Sequence, residues 1–191
     1  MLTPRRKGSD YHHGELRESA ILVARELIAK GGIQSLGIRK IAERLNVSPA
    51  SLYRHFESIE DLQLELGKKF RDELADYMIA QRNRIKINSP KLKLRTIGSA
   101  YIDFAAKNPR LFEVAFSYCP PNKRIGNSDR AWEVLVETVN ELKGRQVPGL
   151  EMILWSSVHG LATLTAQGAI DKKGIERDKK EILNGIGKIL R

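Results

Sequence analysis

Ile38-Arg-Lys-Ile-Ala-Glu-Arg-Leu-Asn-Val-Ser-Pro-Ala-Ser-Leu-Tyr-Arg-His-Phe56 reads as two short helices joined by a tight turn. In the first, roughly Ile38 to Leu45, Ile41, Ala42 and Leu45 recur at helical spacing and form one apolar stripe. Small Ala42 suits a close approach by the second helix. Asn46 sits where the chain must turn, and asparagine tolerates the left-handed conformation better than most residues. Val47 is placed to plug the turn into the core. Ser48 is a good N-cap, and Pro49 fits the first helical position. Leu52 and Phe56, four apart, face inward, which leaves Ala50, Ser51, Tyr53, Arg54 and His55 pointing outward or sideways. A second helix of about two turns is too short to persist without tertiary support. Its exposed face also lacks the Glu/Lys mix of a solvated helix. A capped helical hairpin of any kind shares some of these traits. The row of hydrogen-bonding side chains on the second helix is that of a helix-turn-helix that reads DNA.

Ile41-Ala-x-x-Leu45-Asn-Val-Ser-Pro-Ala-Ser-Leu-Tyr-Arg-His-Phe56 resembles the DNA-binding domain of the TetR (tetracycline-repressor-like) family of bacterial transcription regulators. The resemblance runs from about Tyr11 to Leu66. Tyr11-His-His-Gly-Glu-Leu-Arg17 and, far downstream, Trp155-x-x-x-His159-Gly-Leu161 are similar to the subgroup whose C-terminal domain is named for a Trp-His-Gly signature. The resemblance implies that Arg39, just inside the first short helix, reaches a base edge. It implies that Pro49, Ala50 and Tyr53 face the major groove, that Ser51, Arg54 and His55 contact phosphates, and that Ser48 belongs to the same surface. The chemistry agrees: arginine can be bidentate to guanine, and alanine or tyrosine can pack on a thymine methyl. Two positions depart from the family pattern. Gly37 stands where Thr or Ser is usual, and Ile59 stands where Lys is usual. In the family the hydroxyl caps the helix and can touch phosphate, and the lysine reaches phosphate too; losing a charged phosphate contact lowers the salt slope by about one unit.

With 191 residues the chain is long enough for one domain with a full core or for two small ones. Its 41% hydrophobic and 29% charged residues fit a soluble globular protein. The net charge of +10 points to a polyanionic partner. That charge is spread out: residues 1–60 carry ten Lys/Arg against seven Asp/Glu, so most of the excess lies in the C-terminal part. A single cysteine, Cys119, excludes an internal disulfide and a cysteine-cluster zinc site, in keeping with a reducing cytoplasm. The basic N-terminus has no apolar run behind it, so no signal peptide is expected. Met152 to Ile170 carries no charge over 19 residues, but its serines, threonines, histidine, glutamine and glycines read as a helix buried in protein rather than a membrane span.

The expected organisation is a flexible basic arm over residues 1–10, a helix-turn-helix domain over 11–57, and a ligand-sensing and dimerisation domain over 58–191. Within the last, 58–83 forms a connecting helix. Arg5, Arg6 and Lys7 of the arm can enter a minor groove or lie along phosphates. Helix one is expected from His13 to Lys30, stopped by Gly31-Gly32, with Leu16, Ala20, Val23, Ala24 and Leu27 buried. Ser58 caps the connecting helix, with Leu62, Leu66, Phe70, Leu74 and Tyr77 inward. Further helices follow over about 91–107, 109–116, 129–143, 150–170 and 176–190, with Trp132, Leu135, Val139 and Leu142 on one face of the third of these. No segment alternates as a strand, so the fold is all-α with about nine helices.

Ala162, Ala166 and Ala169 share a small-residue face on the penultimate helix. Ile182, Ile186 and Ile189 belong to an apolar stripe on the last. Either set completes the monomer core or, as the resemblance implies, packs against a second copy in a four-helix bundle. Phe104, Phe112, Phe116, Trp132 and Trp155, with Tyr101 and Tyr118, cluster mid-chain. The resemblance implies an effector pocket among them, with His159 as a polar group; spacing alone reads them as core. No nucleophile elbow, metalloprotease helix, phosphate loop or paired-cysteine motif is present, so no enzyme activity, cofactor or metal is expected. His12-His13 do not share a helix face and make a poor metal site. The expected function is a cytoplasmic, homodimeric, ligand-responsive regulator, a repressor on a palindromic operator. The rival reading is a helical small-molecule-binding protein whose DNA-binding head is weakened at Gly37 and Ile59.

Overall fold

Helix ends in this chain are set by local capping, and the caps divide it into nine α-helices among the described residues. The structure, a computed structural model, describes residues 13–117, 129–144 and 149–190. The helices are α1 (His13–Gly31), α2 (Ile38–Leu45), α3 (Pro49–Tyr53), α4 (Ile59–Asn83), α5 (Pro90–Lys107), α6 (Pro109–Ser117), α7 (Arg130–Lys143), α8 (Leu150–Ala166) and α9 (Lys172–Ile189), with one 3-10 turn at Ile33–Ser35. There is no strand among the described residues, and the fold is all-α. The chain forms two compact units, divided between Leu62 and Gln63. The arm residues Arg5, Arg6 and Lys7 and the loop with Tyr118 and Cys119 lie outside the described residues.

In the first unit, α2 and α3 both pack on α1. Contact from more than one side buries a wide arc of α1. Ile21 and Ile28 are therefore core with Leu16, Ala20, Ala24 and Leu27, while Val23 is only half-buried. The Ser35 hydroxyl donates to the carbonyls of Leu27 and Gly32, each at 2.6 Å, and so ties the 3-10 turn to the end of α1. Phe56 is 1% exposed, and the Arg17 guanidinium lies over its ring at 5.4 Å.

In the second unit α5 is central, with α6, α7, α8 and α9 packed on it. Ser89 caps α5 and Asp129 caps α7, each accepting from a backbone N–H of the first turn. Leu66, Phe70, Leu74 and Met78 of α4 are buried, while Tyr77 stays half-buried. On α7, Leu135 and Val139 are core, but Trp132 and Leu142 are only half-buried; Ala131, Val134 and Thr138 take the inward places. Gly98 permits the approach of α9 to α5, because a Cβ there would lie 2.9 Å from Leu183 Cδ2. Polar ties fasten the helix edges. Arg71 donates to Ala115 O at 2.6 Å and pairs with Asp129 at 3.2 Å. Arg95 donates to Leu183 O at 3.0 Å, and Lys179 pairs with Asp103 at 2.7 Å.

The last two helices depart from the sequence expectation. α8 stops at Ala166 rather than near Ile170. Gly168 adopts φ +71, its N–H bonds Thr165 O at 3.1 Å, and the Ala169 N–H bonds Leu164 O at 3.0 Å. That pair of bonds satisfies the terminal carbonyls and ends the helix. Ala169 is therefore not on a helix face. α9 starts at Lys172, earlier than expected, because Asp171 caps it by accepting from the Gly174 N–H at 2.6 Å. No helix among the described residues is long and apolar enough to cross a membrane.

Candidate nucleic-acid interface and effector cavity

The turn between α2 and α3 is closed by Asn46, the one described non-glycine residue with positive φ (54°). The Val47 N–H bonds Ala42 O at 3.0 Å across this turn. Ser48 then caps α3, accepting from the Ser51 N–H at 3.2 Å, and the two serine hydroxyls lie 2.9 Å apart. Pro49 occupies the first turn, where a missing N–H costs nothing. Leu52 is fully buried and anchors the helix from below. Ser48, Pro49, Ala50, Tyr53 and Arg54 are exposed, Ser51 and His55 are half-buried, and Tyr53 stands 56% exposed. Arg39 is exposed in the first turn of α2, and so is Lys40 beside it, a cation that motif reading passed over. Arg44, in contrast, is paired with Glu26 at 3.3 Å. The result is a short helix held by one cap and one buried leucine, presenting hydroxyl, phenol and guanidinium groups outward.

Gly37 is the N-cap of α2 and makes no side-chain capping bond. Its φ of −175° is extended backbone, and a Cβ built there meets nothing within 4 Å. The site therefore accepts a serine or threonine without rearrangement. Ile59 opens α4 half-buried, after Ser58, whose hydroxyl accepts from the Asp61 N–H at 3.2 Å.

In the second unit, Trp155, His159, Tyr101, Phe112 and Phe116 form one cluster. Trp155 stacks on His159 with centroids 4.5 Å apart and planes 12° from parallel. Phe116 and Phe112 lie 4.9 and 5.6 Å from His159, and Trp132 meets Trp155 edge-on at 6.4 Å. Phe104 is not part of the cluster. Three residues after Tyr101, it is turned towards α4 and packs on Phe70 and Tyr77 at 5.0 and 5.5 Å.

The polar centre of the cluster is Tyr101. Its oxygen lies 2.8 Å from His159 Nδ1. The buried phenol therefore has His159 as its hydrogen-bond partner, and the imidazole tautomer decides which of the two donates. Stacked on Trp155 and beside the phenol, His159 sits where a neutral imidazole is favoured. Burial lowers the His159 pKa, which favours the same state. Burial first, and the nearby Asp129 carboxylate second, raise the Tyr101 pKa well above its ordinary value. Burial also raises the Asp129 pKa, against the lowering effect of the Ala131 N–H and Arg71.

Beside this cluster is an apolar cavity of about 30 Å³. Met78 comes from α4; Leu94, Ile97, Gly98 and Tyr101 from α5; Ala131 and Leu135 from α7; Leu154, Trp155 and Val158 from α8; Leu183 and Ile186 from α9. Of the six residues expected to contact an effector, Trp155 lines this cavity, whereas Phe104, Phe112, Phe116, Trp132 and His159 do not. The aliphatic wall carries no sequence signal that separates it from ordinary core.

Ala162 and Ile186, expected on a docking face, are core residues at 0% and 6% exposure. α8 is covered along one side by α5, and Ile186 turns into the cavity wall, so neither offers surface. Ala166 and Ile182 are half-buried, while Ala169 and Ile189 are exposed. The exposed side of α8 instead carries Ile153, Gly160 and Leu164, with half-buried Ser157 between them.

These features define a helix-turn-helix protein with a separate all-α C-terminal unit. Residues 20–66 match the family model described as bacterial regulatory proteins, tetR family, and residues 94–184 match the tetracyclin repressor-like C-terminal domain. The two matches together cover more than two thirds of the chain, which belongs to the TetR family. Trp155, His159 and Gly160 lie within the second match. Over 102 residues the chain is 28% identical to the uncharacterized HTH-type transcriptional regulator YobS of Bacillus subtilis (strain 168). That match covers 53% of this chain and 52% of YobS, so the chain spans about half the length of this curated relative. Among solved structures, a TetR-family transcriptional regulator from Streptomyces coelicolor superposes with TM-score 0.70 at 17% identity, over 94% of this chain and 100% of that one. A protein of unknown function from Rhodococcus sp. RHA1 gives TM-score 0.70 at 21% identity, over 93% and 98%. The transcriptional regulator FadR of Bacillus subtilis, solved with stearoyl-CoA, gives 0.61 at 18%, over 88% and 96%. At these identities the likeness is one of fold.

The depressed His159 pKa has a pH consequence. A histidine that resists protonation when folded binds fewer protons than the unfolded chain, so stability rises with pH in that window. The second unit is expected to be at full stability above about pH 6.5, the ordinary histidine value, and to lose part of it as pH falls through the lower folded pKa. The thermal midpoint measured between pH 7.5 and 5 should fall more in the wild type than in His159→Gln, which has no proton to gain.

Proposed function

We propose that this chain is a homodimeric, ligand-responsive transcription regulator that represses by binding a palindromic operator in the cytoplasm. The observation that carries the reading is the exposed row Pro49, Ala50, Tyr53 and Arg54 on a capped five-residue helix, with Arg39 exposed on the preceding helix. A helix this short has no stability of its own, and its outward side chains are those that read base edges and phosphates. Two such heads related by a two-fold axis read half-sites about 34 Å apart in successive major grooves. Arg5, Arg6, Lys7, Ser48, Ser51 and His55 complete the expected contact set.

The second copy is proposed to dock on the exposed side of α8, along Ile153, Ser157, Gly160 and Leu164, with Ile182 and Ile189 of α9 contributing; Ala166 lies round the helix from this face, on the side of buried Ala162. Small Gly160 at the middle of the face allows close helix approach. The effector is proposed to enter the second unit, and the stearoyl-CoA complex of the similarly folded FadR supports a small-molecule effector. The cavity of about 30 Å³ is far below the roughly 300–1,000 Å³ of ligand pockets, so ligand binding must move its walls. The effector acts only through a difference in its affinity for the operator-bound and operator-free states.

The missing cap at Gly37 favours a second reading, a sensing protein with a weakened head. One mobility-shift series separates the two. On operator fragments selected from genomic DNA, Arg39→Ala and Tyr53→Ala should each cost about 1–3 kcal/mol of binding. Gly37→Ser with Ile59→Lys should tighten binding and steepen the salt slope by about one unit for each additional phosphate neutralised. If wild-type protein selects no palindrome, or both alanine variants bind unchanged, the assignment of the reading helix is wrong.

Gly160→Leu tests the dimer. Nothing lies within 4 Å of a Cβ at this position, so the protomer should keep its helical circular dichroism. Sedimentation should show the dimer shifting to monomer, with operator affinity falling in parallel. A Gly160→Leu protein that remains fully dimeric would place the interface elsewhere.

A further inference from the structure

The wall of the cavity in the second unit contains no charged side chain. Its polar groups are the Tyr101 phenol, engaged by His159 at 2.8 Å, and the Trp155 indole N–H. Every other lining group is hydrocarbon or the methionine thioether of Met78. An entering ion would leave water with no counter-charge in the wall to receive it, which is among the costliest transfers in a protein. The walls differ in their freedom to move. Ile97 and Leu154 are 1% and 2% exposed, deep in the core. Trp155 is half-buried, and Met78 carries a flexible unbranched side chain. Expansion at those two positions admits a small apolar body, and a dry apolar cavity of this kind binds uncharged hydrocarbon rings.

We propose that the effector of this protein is a small uncharged, predominantly apolar molecule, bound between α5, α7, α8 and α9 against Met78 and Trp155. The assignment rests on the reading of the second unit as a sensing domain. It excludes effectors that must bury a carboxylate, phosphate or sulfonate in this cavity.

The test uses two dyes with one carbon skeleton, neutral N-phenyl-1-naphthylamine and its 8-sulfonate, titrated into the full chain by fluorescence. The neutral dye should bind once per chain, at least tenfold more tightly than the sulfonate. Ala131→Leu, which fills the cavity, should weaken the neutral dye at least tenfold. Leu154→Ala, which enlarges it, should tighten binding about threefold or more. If Ala131→Leu fails to fold, the Leu154→Ala titration decides. Equal binding of the two dyes, or neutral-dye binding unmoved by the cavity variants, overturns the proposal. Operator binding by the wild type is measured separately. Loss of the cavity result with intact operator binding refutes the ligand class alone. An intact cavity result in a chain that binds no DNA refutes the regulator reading and leaves the ligand class standing.

Discussion

The buried Tyr101 hydroxyl cannot be left without partners, and the way the chain supplies them organises the second unit. Tyr101 belongs to α5, the helix on which α6 to α9 all pack. Its partner, His159, sits on α8 one turn after Trp155, which stacks on it. An unpaired buried hydroxyl costs about 1–3 kcal/mol, so this pairing fixes the rotation of α8 against α5 as well as its distance. With α8 held that way, Leu154, Val158, Leu161 and Ala162 enter the core, and Ile153, Gly160 and Leu164 face out. The Trp-His-Gly signature thus has a physical division of labour. His159 turns in to satisfy a phenol with Trp155 stacked on it, and Gly160 leaves the outer surface low.

The first unit works by the opposite economy, with few contacts and many caps. α3 has five residues, one buried leucine and an N-cap serine. It keeps its place because Asn46 closes the preceding turn in the left-handed conformation and Phe56 closes the following one in the core. Pro49, Ala50, Tyr53 and Arg54 stay exposed on its outer side. Gly37 fits the same pattern: the backbone there is relaxed and open, so the absent hydroxyl reflects composition rather than steric need.

Much of this was legible in the order of residues alone. α2 begins and ends where Ile38 and Leu45 mark it, and Ser48, Pro49, Ser58 and Asn108-Pro109 act as the helix punctuation they resemble. Other signals were present and misweighed. Gly168 reads as a residue inside an uncharged helical run, yet its positive φ ends α8 and removes Ala169 from the helix. Asp171 is an ordinary N-cap that periodicity further along had overshadowed. The residues that wall the cavity are harder to read from sequence. An aromatic cluster catches the eye, but the cavity is walled mainly by leucine, isoleucine, valine and methionine, which look like core because they are core with one gap.

What the sequence by itself determined is the set of helices, their stops, and the surface chemistry of the short helix after Ser48. These depend on backbone hydrogen bonds and dihedral preferences spanning four or five residues, so the information lies within reach of each position. The tertiary structure alone decided which apolar face meets which neighbour. An amphipathic stripe states that a face avoids water without naming what covers it. Ala162 and Ile186 went into the core while Ile153 and Leu164 stayed outside because α5 occupies one side of α8 and not the other. That choice depends on residues more than fifty positions apart, such as Tyr101 and His159, and no local pattern encodes it.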